Sequence, residues 1–123
     1  MRTIGLSLLF LSACSTGVDR NVESKVTITT GVYGQTTEVD DVGTHPSPTY
    51  HTMQIELQHP DGATVASATS GEQGFYELAA EPGDYRICTT FGRCLAITVA
   101  AGQRLRCDYE FSIGPGWDCQ PER

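Results

Sequence analysis

From Met53 to Ile113 apolar side chains recur at every second position, in runs that are closed each time by turn residues. Met53, Ile55 and Leu57 alternate with Gln54, Glu56 and Gln58 before the turn His59-Pro60-Asp61-Gly62. Successive side chains of a strand point to opposite faces, so this spacing buries one face and wets the other. Further runs cover 63–69, 74–79, 84–90, 94–100 and 103–113. Between them stand Ser70-Gly71-Glu72, Glu81-Pro82-Gly83, Phe91-Gly92 and Ala101-Gly102, residues whose backbone preferences reverse a chain. An earlier run begins at Lys25, with Val26, Ile28, Thr30 and Val32 on one side and Thr27 and Thr29 on the other. About seven short strands with no helical stretch predict an all-β fold, an antiparallel Greek-key β-sandwich over 25–123. Gly31 and Gly34 in the first run predict a bulge or a close approach of two backbones.

The cysteines add a second constraint. Cys88, Cys94, Cys107 and Cys119 are separated by five, twelve and eleven residues. A zinc site wants closer pairs, so the set is expected to form two disulfides, which places the domain in an oxidising compartment. Three pairings are open to four cysteines. Strand parity prefers one of them. If Thr90-Phe91-Gly92 is a three-residue hairpin loop with Gly92 left-handed, Thr89 opposes Arg93 and Cys88 opposes Cys94. Tyr85 and Ile87 then share the apolar face with Leu95, Ile97 and Val99, and Cys88 and Cys94 lie on the other with Arg86 and Thr98. In the last run Leu105, Cys107, Tyr109 and Phe111 share a face, which points Cys107 inward. The preferred pairs are Cys88 with Cys94 and Cys107 with Cys119, the second pinning a tail that carries Trp117.

Residues 35–51 carry two prolines and no period, and are expected to form a long loop, the usual place for a binding surface. Its candidate residues are Glu38, Asp40, Asp41, His45, Tyr50 and His51. The acidic trio lacks the spacing of a calcium-binding EF-hand. No HExxH, GxSxG or glycine-rich phosphate loop occurs, so no catalytic residue, metal or cofactor is expected. The formal charge is −7 and Lys25 is the one lysine, so there is no basic patch for phosphates and nucleic acid is not an expected partner.

Met1-Arg2-Thr3 is followed by Ile4-Gly5-Leu6-Ser7-Leu8-Leu9-Phe10-Leu11. This apolar run falls short of the roughly 20 residues needed to span a bilayer and has the layout of an export signal. Leu11-Ser12-Ala13-Cys14 resembles the lipobox of bacterial lipoproteins. That resemblance implies a signal peptide over 1–13, diacylglyceryl and further acyl chains on Cys14, and a flexible tether over 14–24. Several acyl chains hold a protein far more firmly than one. Cysteine parity agrees, since Cys14 is the odd one of five. Ser15 follows, not the aspartate that retains such proteins at the inner membrane, so the resemblance implies a lipid-anchored protein of the bacterial envelope, at the outer membrane.

Ile55-Glu56-Leu57 before Pro60-Asp61-Gly62, Val65-Ala66-Ser67-Ala68-Thr69-Ser70, Gly74-Phe75-Tyr76-Glu77-Leu78, Glu81-Pro82-Gly83-Asp84-Tyr85-Arg86-Ile87 and Ile97-Thr98-Val99-Ala100-Ala101-Gly102-Gln103 together resemble carboxypeptidase regulatory-like domains, the transthyretin-like or prealbumin-like sandwich. Such domains accompany enzymes and adhesins without catalysing, so the resemblance implies a binding or structural module for an envelope protein, a peptide or a glycan. An accessory subunit or inhibitor of an envelope enzyme is the second reading. A cryptic hydrolase, or a weak metal site at His45 and His51, is the third. The isopeptide bond of related adhesins would join Lys25 to Asp108 beside Glu56 or Glu77, but parity points both Lys25 and Asp108 to water.

Overall fold

The structure, a computed structural model, describes residues 22–38, 49–50, 52–111 and 116–121. Its elements are α1 (Val22–Lys25), β1 (Gly31–Glu38), β2 (Thr49–Tyr50), β3 (Gln54–Gln58), β4 (Thr64–Thr69), β5 (Phe75–Ala79), β6 (Gly83–Thr89), β7 (Cys94–Val99), β8 (Arg104–Phe111) and β9 (Trp117–Pro121). A 3-10 turn, Glu72–Gly74, precedes β5. The strands form two sheets. In the smaller the order is β4-β3-β6-β7; in the larger β1 lies between β8 on one side and β5 and β2 on the other, with β9 outside β8. The described pairings are antiparallel except β1 with β8, which is parallel.

The inward residues of both sheets make one core. Ile55 and Leu57 of β3, Tyr85 and Ile87 of β6, and Ile97 and Val99 of β7 meet Val32 of β1, Tyr76 and Leu78 of β5, and Leu105, Cys107 and Tyr109 of β8. Each fully buried aliphatic side chain among them contributes roughly 1.5–3 kcal/mol. Buried polar groups in this layer are paired. Ser70 Oγ accepts from the Met53 N–H at 2.9 Å and from the Thr36 hydroxyl at 2.8 Å, which ties β1 to the corner after β4. The Tyr76 hydroxyl donates to the Cys107 carbonyl at 2.6 Å. Burial holds that phenol neutral, its pKa well above the ordinary value.

The first strand starts later than its alternation predicts. Val22–Lys25 is a helical turn, with Val22 buried. Residues 26–30 are in no strand and lie alongside β5, where the Thr27 N–H and hydroxyl donate to the Glu77 carboxylate at 2.8 and 2.9 Å. The expected tether of 14–24 therefore ends in packed structure at Val22; its earlier residues lie outside the described ones. β1 then runs on into the expected loop. Both faces of this strand are covered, so Tyr33, Gln35 and Thr36 are as buried as Val32, and no polar-apolar alternation marks it. Gly31 and Gly34 are close approaches. A Cβ at Gly34 would stand 1.8 Å from the Cys107 carbonyl oxygen, and one at Gly31, where φ is +145°, would stand 2.1 Å from that of Leu78.

Among the described residues two more strands are present than the seven expected, β2 and β9. β2 pairs Tyr50 with Thr37 and Thr49 with Glu38, which narrows the expected 35–51 loop. The expected tail is β9, paired along β8 from Tyr109↔Trp117 to Leu105↔Pro121. The disulfides are Cys88–Cys94 and Cys107–Cys119. The hairpin that aligns the first has Thr89 N–H donating to Arg93 O at 2.9 Å, Gly92 N–H donating to Thr89 O at 3.0 Å, and Gly92 at φ +84°. Leu95, expected in the core, is 38 % exposed at the edge of the smaller sheet.

Candidate functional site

The loop residues named from the sequence are dispersed. Asp40, Asp41, His45 and His51 lie outside the described residues, as does Cys14. Glu38 and Tyr50 are brought to neighbouring strands: Glu38 ends β1 opposite Thr49, and Tyr50 lies opposite Thr37. The two ends of the 39–48 segment are therefore held side by side on the larger sheet.

A groove of about 360 Å³ lies at that same end. Thr37, Asp108, Tyr109, Glu110, Gly116, Trp117 and Asp118 line it. The strand order explains the gathering, because Thr37 is paired with Glu110 across the parallel ladder and Asp108 with Asp118 across the antiparallel one. Trp117 is fixed from two sides. Its ring meets Tyr109 edge-on at 4.9 Å, and its indole N–H donates to the Arg93 carbonyl at 3.0 Å. A second, shallow cleft is lined by Thr29, Thr30, Ala79, Ala80, Glu81 and Pro82 and holds no charge-paired or nucleophilic cluster.

Asp108 does not face open water, contrary to strand parity, because a half-covered sheet face surrounds it. Its Oδ1 accepts the Gln35 backbone N–H at 2.9 Å, and Arg106 Nε approaches both carboxylate oxygens at 3.2 and 3.1 Å. The carboxylate stands in for a backbone acceptor where β1 and β8 lose their ladder. Desolvation raises its pKa above the ordinary carboxylate value; Arg106 and the Gln35 N–H pull it back, and Asp118 pushes it further up. Like charges directly opposite on neighbouring strands cost stability. A cationic or hydroxyl-bearing ligand would offset that cost, and the Trp117 ring supplies an apolar wall beside the acids.

The reagents of an isopeptide bond are each engaged by other partners, Asp108 by the Gln35 N–H and Arg106. Lys25 Nζ donates to Gln73 Oε1 at 2.8 Å, Glu77 is held by Thr27 and Ile28, and Glu56 sits on the other sheet, accepting from Gln58 and Thr64. Among the described residues no group of three His, Cys, Asp or Glu side chains is placed to hold a metal ion, and no helix is long and apolar enough to cross a membrane. The groove was missed in the sequence although a signal existed: once Cys107 pairs with Cys119, antiparallel register forces Asp108 opposite Asp118. Comparison with protein-family models, with curated proteins and with solved structures finds no match to this chain.

Proposed function

We propose that this chain is an exported bacterial lipoprotein, cut before Cys14, acylated there, and anchored at the outer membrane, whose β domain is a non-catalytic binding module. The observation that carries the reading is the cysteine count. Four of five cysteines are closed in two bridges within the domain, and the fifth stands at the end of Leu11-Ser12-Ala13-Cys14. Disulfides persist in an oxidising space, which supports a location outside the cytoplasm. A Greek-key type for the sandwich is supported by Tyr85, whose hydroxyl donates to the Glu81 carbonyl four residues earlier, the form of a tyrosine corner; the transthyretin-like type rests on the resemblance of the sequence.

The binding surface in this reading is the groove beside Trp117, with the 39–48 stretch of the expected loop as its second part. It suits a peptide or glycan of an envelope partner that brings cationic or hydroxyl groups to Asp108, Glu110 and Asp118. The anchor is tested by labelling with fatty acid: the natural chain takes up label and sediments with membranes, and Cys14→Ser does neither. Label on the variant would overturn the anchor. Replacing 39–48 by a short turn, or Trp117 by Ala, should reduce partner or glycan retention at least tenfold while both disulfides still form. Hydrolysis of a substrate by the pure protein would overturn the non-catalytic reading.

A further inference from the structure

The sheet edges differ in how they are closed to other chains. β4 loses register between Leu57 and Gln58, which leaves Val65 as an extra residue, and such a bulge twists an edge away from partners. β9 carries Asp118 and ends at Pro121. β5 has Glu77 engaged by the backbone N–H groups of Thr27 and Ile28. β7 has none of these devices. Its sequence, Cys94-Leu95-Ala96-Ile97-Thr98-Val99, contains no charge, proline or glycine, and it pairs with β6 without a break from Gly83↔Val99 to Cys88↔Cys94. Among the described residues no second strand pairs with it. An unbroken, uncharged edge of this kind is a template for another strand.

We infer that β7 is where a second copy of this chain adds, edge to edge and antiparallel, about a two-fold axis at Ala96. The inference stands apart from the lipid anchor and from the groove. The backbone is set for it. Thr89 N–H donates to Arg93 O, so Arg93 faces β6, and by the period of an antiparallel ladder Cys94, Ala96 and Thr98 turn their N–H and C=O groups to the open side. All three are exposed. With Ala96 opposite its counterpart, Cys94 meets Thr98, and each chain gives and accepts a symmetric set of hydrogen bonds. On the inner face Leu95 meets the Ile97 of the other copy. That covers the one exposed position of an otherwise buried row, in which Leu95 is 38 % exposed and Ile97 and Val99 are 8 % and 1 %.

A second copy fits better than an unrelated strand because the row is self-complementary under the axis, the arrangement an isologous dimer needs. The charge of −7 repels two copies as wholes, so their contact is left to a strand that carries no charge of its own. In this register the charges nearest the axis are the two Arg86 side chains, one on each β6 opposite Ala96. They are three strand spacings apart, about 14 Å, which exceeds the screening length of about 8–10 Å at ordinary salt. A pair of edge strands buries less than the roughly 1,000 Å² of a durable interface, so the dimer is weak and depends on local concentration.

The test is sedimentation equilibrium of the full chain in density-matched detergent, with charge variants at the axis. Ala96→Lys and Ala96→Glu each place two like charges face to face, and each alone is expected to self-associate more than tenfold more weakly than the natural chain. Mixed together, they should recover a heterodimer. Ala96→Pro, which removes an N–H that β6 does not use, should also abolish association and serves if a charged variant fails to fold. A natural chain that stays monomeric to millimolar concentration, variants that associate as well as it does, or a mixture that remains monomeric would overturn the inference. Fatty-acid labelling of Cys14 and retention of a groove partner should be the same in all three variants.

Discussion

A methyl group at position 34 has nowhere to go. Gly34→Ala would drive a carbon into the Cys107 carbonyl, and the β1–β8 ladder would have to part. We expect a loss of at least about 2–3 kcal/mol in urea unfolding, the range of strained core substitutions. Ser70→Ala should cost about 1–3 kcal/mol, since it strips partners from the Met53 N–H and the Thr36 hydroxyl in a buried corner. At Asp108 the sign of the pH effect follows from burial. Its pKa is raised in the folded state, so the fold holds this proton more tightly than the unfolded chain does. The resulting stability is full below the unfolded carboxylate pKa and is lost as pH rises through the raised folded value. Asp108→Asn keeps an oxygen acceptor for the Gln35 N–H without the charge. The variant should therefore gain on the natural chain between about pH 4 and pH 7, measured as paired urea midpoints.

At the scale of strands, the smaller sheet was legible and much of the larger one was not. In β3, β6 and β7 one face meets the core and the other meets water, so Ile55, Leu57, Tyr85 and Ile87 announce their side by alternation. The Thr89 to Arg93 hairpin follows from one left-handed glycine. β1 gives no such sign, because Gly-Val-Tyr-Gly-Gln-Thr is covered on both faces. Val26 and Ile28 do alternate, yet the Glu77 carboxylate claims the backbone N–H of Thr27 and Ile28, and the segment stays off the sheet. The parallel register of β1 with β8 joins residues 73 apart, such as Thr36 and Tyr109, and nothing local encodes it. The bridges carry separate predictions. By loop closure Cys107–Cys119, with a sequence separation of 12, contributes about 3 kcal/mol and Cys88–Cys94, with a separation of 6, about 2 kcal/mol. Replacing Cys107 and Cys119 by Ala should therefore lower the denaturant midpoint further than replacing Cys88 and Cys94. It should also deprotect the β9 amides first in hydrogen exchange, while those of β1 remain the slowest.

For the molecule as a whole, the larger sheet cannot close early. β1 is complete at Glu38, but its parallel partner begins at Arg104, so a chain emerging from its N-terminal end holds β1 half-paired until nearly all of it is present. The same pairing decides how the domain meets force. Pulled from its two ends, β9 would be the first strand to peel, but Cys119 hands the load to Cys107 in the middle of β8. From there tension runs along β8 and β1 in opposite senses, and their hydrogen bonds are sheared together instead of opening one by one. The bridge and the parallel ladder together build the domain to resist being pulled apart from its ends.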